Sequence, residues 1–225
     1  RMDGSGDDPK TPLDDSDDTD PQWSVQRSAN LYQIRGWGEP YFQMNAAGHV
    51  EVRPDPRQKR GIDLYELVQQ LDSAACMPLL IRFPDILKHR INLLNECFQK
   101  AISEYGYQGR YRGVFPIKVN QQRHLVEEIV HAGKKWGYGL EAGSKPELLI
   151  ALATMAGASA DRPKTASAED RTGFIICNGY KDRYYMETAL IAQRFDNTVM
   201  IVLERPDELD RTHVAALEHG QESAR

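Results

Sequence analysis

The sequence predicts an α/β fold built on a parallel β-sheet, and two observations carry this prediction. From Met77 onward, short apolar segments alternate with longer segments in which apolar residues recur at helical spacing. The short segments are apolar throughout rather than alternating, which is typical of strands buried on both faces of a parallel sheet. Two architectures fit this pattern of βα units, a doubly wound sheet and a (β/α)8 barrel.

Four βα units are predicted. The strands cover residues 111–119, 137–143, 173–179 and 198–204. The helices that follow them are "QRHLVEEIVHAGKKW", "KPELLIALATMAG", "KDRYYMETALIAQRF" and "RPDELDRTHVAALEHG". A longer helix is predicted to precede the series, from about Asp85 to the stop signal at Gly106.

Three segments are predicted along the chain. Residues 1–22 form a disordered acidic tail, because they are rich in Asp and too poor in apolar residues to offset the ordering entropy. Residues 23–76 form a β-rich N-terminal region with short alternating apolar segments, although "GIDLYELVQQLDSA" within it predicts a helix. Residues 77–225 carry the βα series, interrupted by a polar insert at 158–170.

The charge distribution argues against nucleic acid as a partner. Residues 1–20 hold eight Asp against Arg1 and Lys10, so the tail accounts for the formal net charge of −5 and the remainder is nearly neutral. Nucleic-acid binding requires a basic face, and none is evident. No apolar run approaches a membrane-spanning length and the tail lacks the apolar core of a signal peptide, so a cytoplasmic location is predicted.

No metal ligand is predicted from the residue pattern. Cys76, Cys97 and Cys177 are odd in number and far apart, which argues against a disulfide framework and a structural zinc site. One predicted helix carries Glu and His side chains at neighbouring positions, which are His124, Glu127, Glu128 and His131. A solvated helix face is the favoured interpretation, because the HExxH order is absent.

Lys118 stands near the end of the apolar strand "GVFPIKVNQ". One interpretation is that its long stem carries the ammonium out to water, as most strand-end lysines do. The other is that it projects from the carboxyl end of a parallel strand, where α/β folds place their chemistry. The local sequence alone favours the first interpretation, because buried lysine is rare.

Five segments, in this order, closely resemble biosynthetic arginine decarboxylases, which are pyridoxal-phosphate enzymes of the alanine racemase/ornithine decarboxylase-like class. They are "IRGWGEPYFQMNAAGHVEVRPDP", "FPDILKHRI", "YRGVFPIKVNQQRHLVEEIV", "GLEAGSKPELLIALA" and "ICNGYKD". The likeness runs from about Trp23 to the end of the sequence. Each segment alone is a weak signal, whereas five ordered segments with compatible spacing are specific.

The resemblance implies a (β/α)8 (TIM-like) barrel with an additional β-rich domain, of which residues 77–225 supply the first, incomplete half. It implies that Lys118, in the PIKVNQ motif, binds pyridoxal 5′-phosphate and is catalytic. It further implies a homo-oligomer when complete, and Mg²⁺ as a possible second cofactor. The phosphate-binding segment and the partner of the pyridine nitrogen are expected beyond Arg225, so the chain alone is expected to be an inactive N-terminal fragment.

The implied reaction converts L-arginine to agmatine and CO2 through a Schiff base, at the start of a route to putrescine and spermidine. A lysine that attacks an aldehyde must be neutral, and an ordinary lysine has a pKa of about 10.4. Partial burial of Lys118 against apolar strand neighbours is expected to lower that pKa. Asn120, Glu141 and Asn178 are further candidates near the strand ends, with ordinary loop hydrogen bonds as the alternative.

Two other classes of protein compete with the decarboxylase. A non-catalytic pyridoxal-phosphate-binding barrel protein would share the barrel and Lys118, but it is not expected to carry the long N-terminal block. A nucleotide-binding α/β module would need a phosphate-binding glycine loop before a helix. The segments "GWGEPY" and "GYGLEAG" lack the required spacing and position.

Overall fold

The computed structural model describes residues 22–58, 60–71, 77–159, 173–195 and 197–218. These residues fall into two units, one ending at Leu79 and the other beginning at Leu80. The predicted acidic tail, apart from its last residue, and most of the polar insert lie outside the described residues. No helix within the described ranges is both long and apolar enough to cross a bilayer.

The described residues of the first unit form three helices and a three-stranded antiparallel sheet in the order β1-β2-β3. Its elements are α1 (Val25–Leu31), α2 (Ile34–Gly38), β1 (Phe42–Met44), β2 (Val50–Val52), β3 (Ile62–Asp63) and α3 (Leu64–Gln69). The three short strands lie in the region predicted to be β-rich, whereas the residues before them are helical. Ser24 explains the start of α1, because its side chain accepts a hydrogen bond from the Arg27 N–H and so caps the helix.

The second unit begins with α4 (Pro84–Glu104), which has a proline in its first turn. Gly106, just after this helix, takes a left-handed φ of 59° and provides the predicted stop. Four βα units follow. Their strands are β4 (Val114–Pro116), β5 (Gly139–Ala142), β6 (Gly173–Cys177) and β7 (Asn197–Ile201), and their helices are α5 (Arg123–Gly133), α6 (Lys145–Ser159), α7 (Arg183–Ala192) and α8 (Pro206–Glu218).

The four strands form one parallel sheet in the order β4-β5-β6-β7. The predicted succession of strands and helices is therefore confirmed, although the strands are shorter than predicted. Within the described residues, β4 and β7 each pair with a single neighbour, and no closed barrel is formed. The parallel α/β class is correct, and the (β/α)8 barrel stays a prediction.

The main core lies between this sheet and the helices α5, α6 and α7. Every residue of β5 is buried, as expected for a strand covered on both faces. Ile117, Val126, Leu140, Leu148 and Ile175 are fully buried in this core. Each such side chain contributes roughly 1.5–3 kcal/mol to folding. This core therefore holds in place the edge of the sheet that carries the polar side chains of the candidate site.

Candidate active site

The carboxyl ends of the four parallel strands lie at one edge of the sheet, where open α/β folds bind ligands. Lys118 follows β4 by two residues, Glu141 lies within β5, and Asn178 directly follows β6. Pro116, the last residue of β4, pairs with Glu141. The sheet register thus brings together Lys118 and Glu141, which the sequence had placed separately near strand ends.

Lys118 lies in a 3-10 turn, Ile117–Val119, rather than in the strand itself. Ile117 points into the core and is fully buried, whereas the Lys118 side chain is 62% exposed. The expected partial burial of Lys118 is therefore wrong, because the strand ends at Pro116 and the turn directs the side chains of Lys118 and Val119 outward. The Lys118 side chain thus reaches water, and its amine still lies at the carboxyl edge of the sheet.

Glu141 is the partner of Lys118. Lys118 Nζ lies 3.8 Å from Glu141 Oε1, and Glu141 is buried. Within the described part of the chain, Glu141 Oε1 has no hydrogen-bond partner. A buried oxygen without a donor costs about 1–3 kcal/mol, so this carboxylate is placed to receive a proton or a donor from the amine beside it.

Two glycines line the same edge. Gly143 donates its N–H to Glu147 Oε2 at 2.8 Å, just after β5. Gly179 has a φ of 72°, and a Cβ at this position would lie 2.6 Å from the backbone oxygen of Gly143. Only glycine combines this backbone conformation with so close an approach, so the loops after β5 and β6 touch through backbone atoms.

Asn120 and Asn178 make local loop hydrogen bonds. Asn120 Oδ1 accepts from the Gln122 N–H at 3.0 Å, which ties down the loop after Lys118 as the sequence suggested. Asn178 Oδ1 accepts from the Gly179 N–H at 3.0 Å, and its own N–H donates to the Ala142 oxygen at 2.9 Å. The loop-bonding alternative therefore holds for both asparagines.

A buried ion pair that no sequence pattern predicted lies behind this edge. Lys181 Nζ lies 3.4 Å from Glu208 Oε2, with both side chains removed from solvent. The partners are 27 residues apart, in a polar loop and in the first turn of α8. A polar residue in a loop and a glutamate at the start of a helix are both usually exposed to solvent. The sequence therefore offered no signal for the pair.

Two of the three cysteines lie within the described residues. Cys177, at the end of β6, is buried, and burial raises the pKa of its thiol to about 11. Cys97 is free and exposed, while Cys76 lies outside the described residues. Glu127 on α5 accepts from Arg123 Nε at 2.7 Å. Across the described ranges, no group of three or more His, Cys, Asp or Glu residues could hold a metal ion.

No family model matches the chain. The biosynthetic arginine decarboxylase of Thermosynechococcus vestitus is 54% identical over 188 residues, which are 83% of this chain and 28% of that protein. Over the matched residues, this chain is similar to biosynthetic arginine decarboxylases. The biosynthetic arginine decarboxylase of Gloeobacter violaceus is also 54% identical, over 199 residues that make up 88% of this chain and 29% of that protein.

A solved structure extends the relation to the fold. The crystal structure of the biosynthetic arginine decarboxylase SpeA from Campylobacter jejuni matches with a TM-score of 0.70 and 32% identity, over 83% of this chain and 29% of that one. The resemblance to arginine decarboxylases is thus confirmed. The chain spans less than a third of the length of these arginine decarboxylases.

Proposed function

We propose that this chain is part of a pyridoxal-phosphate-dependent arginine decarboxylase, which converts L-arginine to agmatine and CO2 at the start of a polyamine route. The observation that carries the proposal is the Lys118–Glu141 pair at the carboxyl edge of the sheet, in a chain about half identical to named arginine decarboxylases. An exposed amine beside a buried carboxylate suits carbonyl chemistry better than a structural role.

The residues at the sheet edge fit an aldehyde cofactor. Lys118 offers an accessible amine, and Glu141 offers a carboxylate oxygen that has no partner within the described residues. Gly143 and Gly179 leave the neighbouring backbone free of side chains. Lys118 would hold the cofactor covalently, with Glu141 beside it. When bound, pyridoxal phosphate supplies an electron-withdrawing ring that accepts the electron pair left when the α-carboxylate departs as CO2.

Lys118 must lose a proton before its amine can attack a carbonyl carbon. Glu141 Oε1, at 3.8 Å, is placed to accept a hydrogen bond from this amine, since a catalytic hydrogen bond is often longer before the substrate binds. Glu141 would thereby orient the Lys118 amine toward the carbonyl carbon. The exposure of Lys118 leaves a path by which the α-amine of arginine can reach the same position.

The remaining parts of the site are proposed to be formed by residues outside this chain. The chain covers 28% and 29% of two related decarboxylases, so the phosphate-binding loop and the contacts to the arginine side chain are proposed outside these residues. The apolar side chains Met200, Val202 and Leu203, on and after β7, are exposed. They would pack against the next strand and helix of a (β/α)8 barrel. Residues 1–225 alone are proposed to be inactive. Mg²⁺, a homo-oligomer and a cytoplasmic location stay predictions.

The test is an agmatine assay on the complete protein that contains these residues, purified with pyridoxal phosphate. Agmatine formation that requires the cofactor and is lost in Lys118→Ala supports the proposal. The alternative, a non-catalytic pyridoxal-phosphate-binding barrel protein, would load the cofactor on Lys118 and form no agmatine. Absence of both cofactor binding and agmatine would contradict both functions.

A further inference from the structure

The buried ion pair between Lys181 and Glu208 is the part of the sheet edge that the proposed mechanism leaves unused. Lys181 is 0% exposed and Glu208 is 1% exposed. Removing two charges from water costs several kcal/mol per ion unless good geometry and further hydrogen bonds compensate. The contacts of the pair therefore indicate what it holds in place.

On one side, the pair holds the loop after β6. Lys181 Nζ donates to the backbone oxygen of Gly179 at 2.5 Å. On the other side, Glu208 Oε2 accepts from the Glu204 N–H at 2.8 Å, two residues before α8 begins. Burial raises the pKa of Glu208, but the Glu204 N–H and the Lys181 ammonium outweigh burial, so the pKa lies below its usual range and the carboxylate is ionised.

Gly179 connects this pair to Glu141 through the loop after β5. The backbone oxygen of Gly143 lies so close to Gly179 that a Cβ there would approach it to 2.6 Å. A Cβ on Gly143 would in turn lie 3.8 Å from Glu141 Oε1. A displacement of Gly179 would therefore reach Gly143 and then Glu141, whose oxygen faces Lys118.

We propose that Lys181 and Glu208 are positioning residues: they hold the loop after β6 against Gly143 and so hold Glu141 Oε1 beside Lys118. The inference rests on the proposed function, because it assigns the pair a role in the same reaction. It differs from a purely structural role in one measurable way. A pair that acts through Glu141 affects turnover only while Glu141 carries its carboxylate.

A double-mutant cycle on the complete, cofactor-loaded protein tests this coupling. Glu208→Gln keeps the size of the side chain and an acceptor for the Glu204 N–H, but removes the charge that holds Lys181. We expect it to lower kcat per bound cofactor about ten-fold and to leave KM for arginine within about two-fold. In a Glu141→Gln background, the same substitution is expected to change kcat less than two-fold, since contacting residues in one network are not additive.

The control is Asp210→Asn, which removes an exposed carboxylate from the same helix and is expected to leave kcat unchanged. If Glu208→Gln does not load cofactor, the variant K181M/E208L takes its place in the cycle, because apolar pairs often replace buried ion pairs without loss of stability. Its expected result is the same.

Equal losses in both backgrounds, or no loss in either, would overturn the inference. Failure of both variants to load cofactor would overturn it too, because the pair would then serve folding. An unsubstituted protein that forms no agmatine would refute the proposed function itself. An active protein with additive losses would refute only the positioning role.

Discussion

Tyr185, in the first turn of α7, donates its buried hydroxyl hydrogen to the backbone oxygen of Ala142 at 2.7 Å. Ala142 ends β5 and follows Glu141 directly, so this bond ties the helix of one βα unit to the end of the neighbouring strand. The Ala142 oxygen also accepts from the Asn178 N–H at 2.9 Å. One backbone oxygen thus joins α7, β5 and the loop after β6.

Tyr185→Phe is expected to lower the free energy of unfolding by about 0.5–1.5 kcal/mol, the net value of one hydrogen bond, because the Ala142 oxygen keeps its second donor. Urea denaturation of the complete protein measures the change. Tyr184→Phe, one residue earlier and exposed, is the matched control and should be nearly neutral. Equal losses in the two variants would show that the hydrogen bond to Ala142 contributes nothing.

Lys118 is expected to carry the cofactor in the complete protein. Borohydride reduction followed by peptide mass mapping should locate a pyridoxyl adduct on Lys118, because its amine is exposed at the carboxyl edge. Lys181 is expected to remain unlabelled, since it is buried and paired with Glu208. A Lys135→Ala variant should keep the adduct on Lys118, and an adduct on Lys134, Lys135 or Lys181 would refute the assignment.

Gly179→Ala is expected to destabilise the protein through two effects, a left-handed φ and a clash with the Gly143 oxygen. Gly106→Ala separates them, because Gly106 has a φ of 59° but nothing within 4 Å of an added Cβ. The left-handed conformation alone costs roughly 1–2 kcal/mol, so Gly106→Ala should lose about that amount and Gly179→Ala more. Denaturation midpoints provide the comparison, and equal losses would mean that the loops do not press on each other.

Asp182 links stability to pH. Its pKa is lowered by the Lys145 ammonium and by the hydrogen bond from the Tyr185 N–H. A carboxylate with a lowered folded-state pKa stabilises the protein above its unfolded pKa, about 3.9, and loses that contribution as pH falls through the folded value. Asp182→Asn keeps a good helix cap but removes the ion pair.

We therefore expect Asp182→Asn to lower the melting temperature at pH 7 and to leave it nearly unchanged at a pH below the folded pKa, where the wild-type carboxylate is itself protonated. Thermal melts across this range measure the effect. Glu128→Gln, at an exposed position on α5, is the control and should shift the melting temperature little at either pH. A pH-independent difference between Asp182→Asn and the wild type would contradict the linkage.

Most helices and strands of the second unit could be predicted from the sequence, because the physical signals there are local. A strand apolar on both faces, such as β6, needs only its own residues to be recognised, and the helices follow from their spacing. Lys118 was placed at the correct strand end for the same reason. The helix α1 was missed because its seven residues bury no side chain and therefore carry no apolar period.

The errors at the site arise from geometry that a linear pattern does not encode. The exposure of Lys118 depends on where β4 ends and on the rotation of the turn after Pro116. Lys118 lies only two residues beyond the end of that strand. The Lys118–Glu141 distance depends on the register between β4 and β5. The Lys181–Glu208 pair requires α8 to return to the loop after β6, which only the packing of the last two βα units determines.

The order of the strands across the sheet, β4-β5-β6-β7, is also their order along the chain. Each strand therefore finds its partner already present at the growing edge when it leaves the ribosome, and no strand must wait for a later one to be inserted between its neighbours. Chains are made from the amino end at about 5–20 residues per second, slowly compared with the formation of local structure. The sheet that holds Lys118 beside Glu141 can thus assemble vectorially, one βα unit at a time, during synthesis.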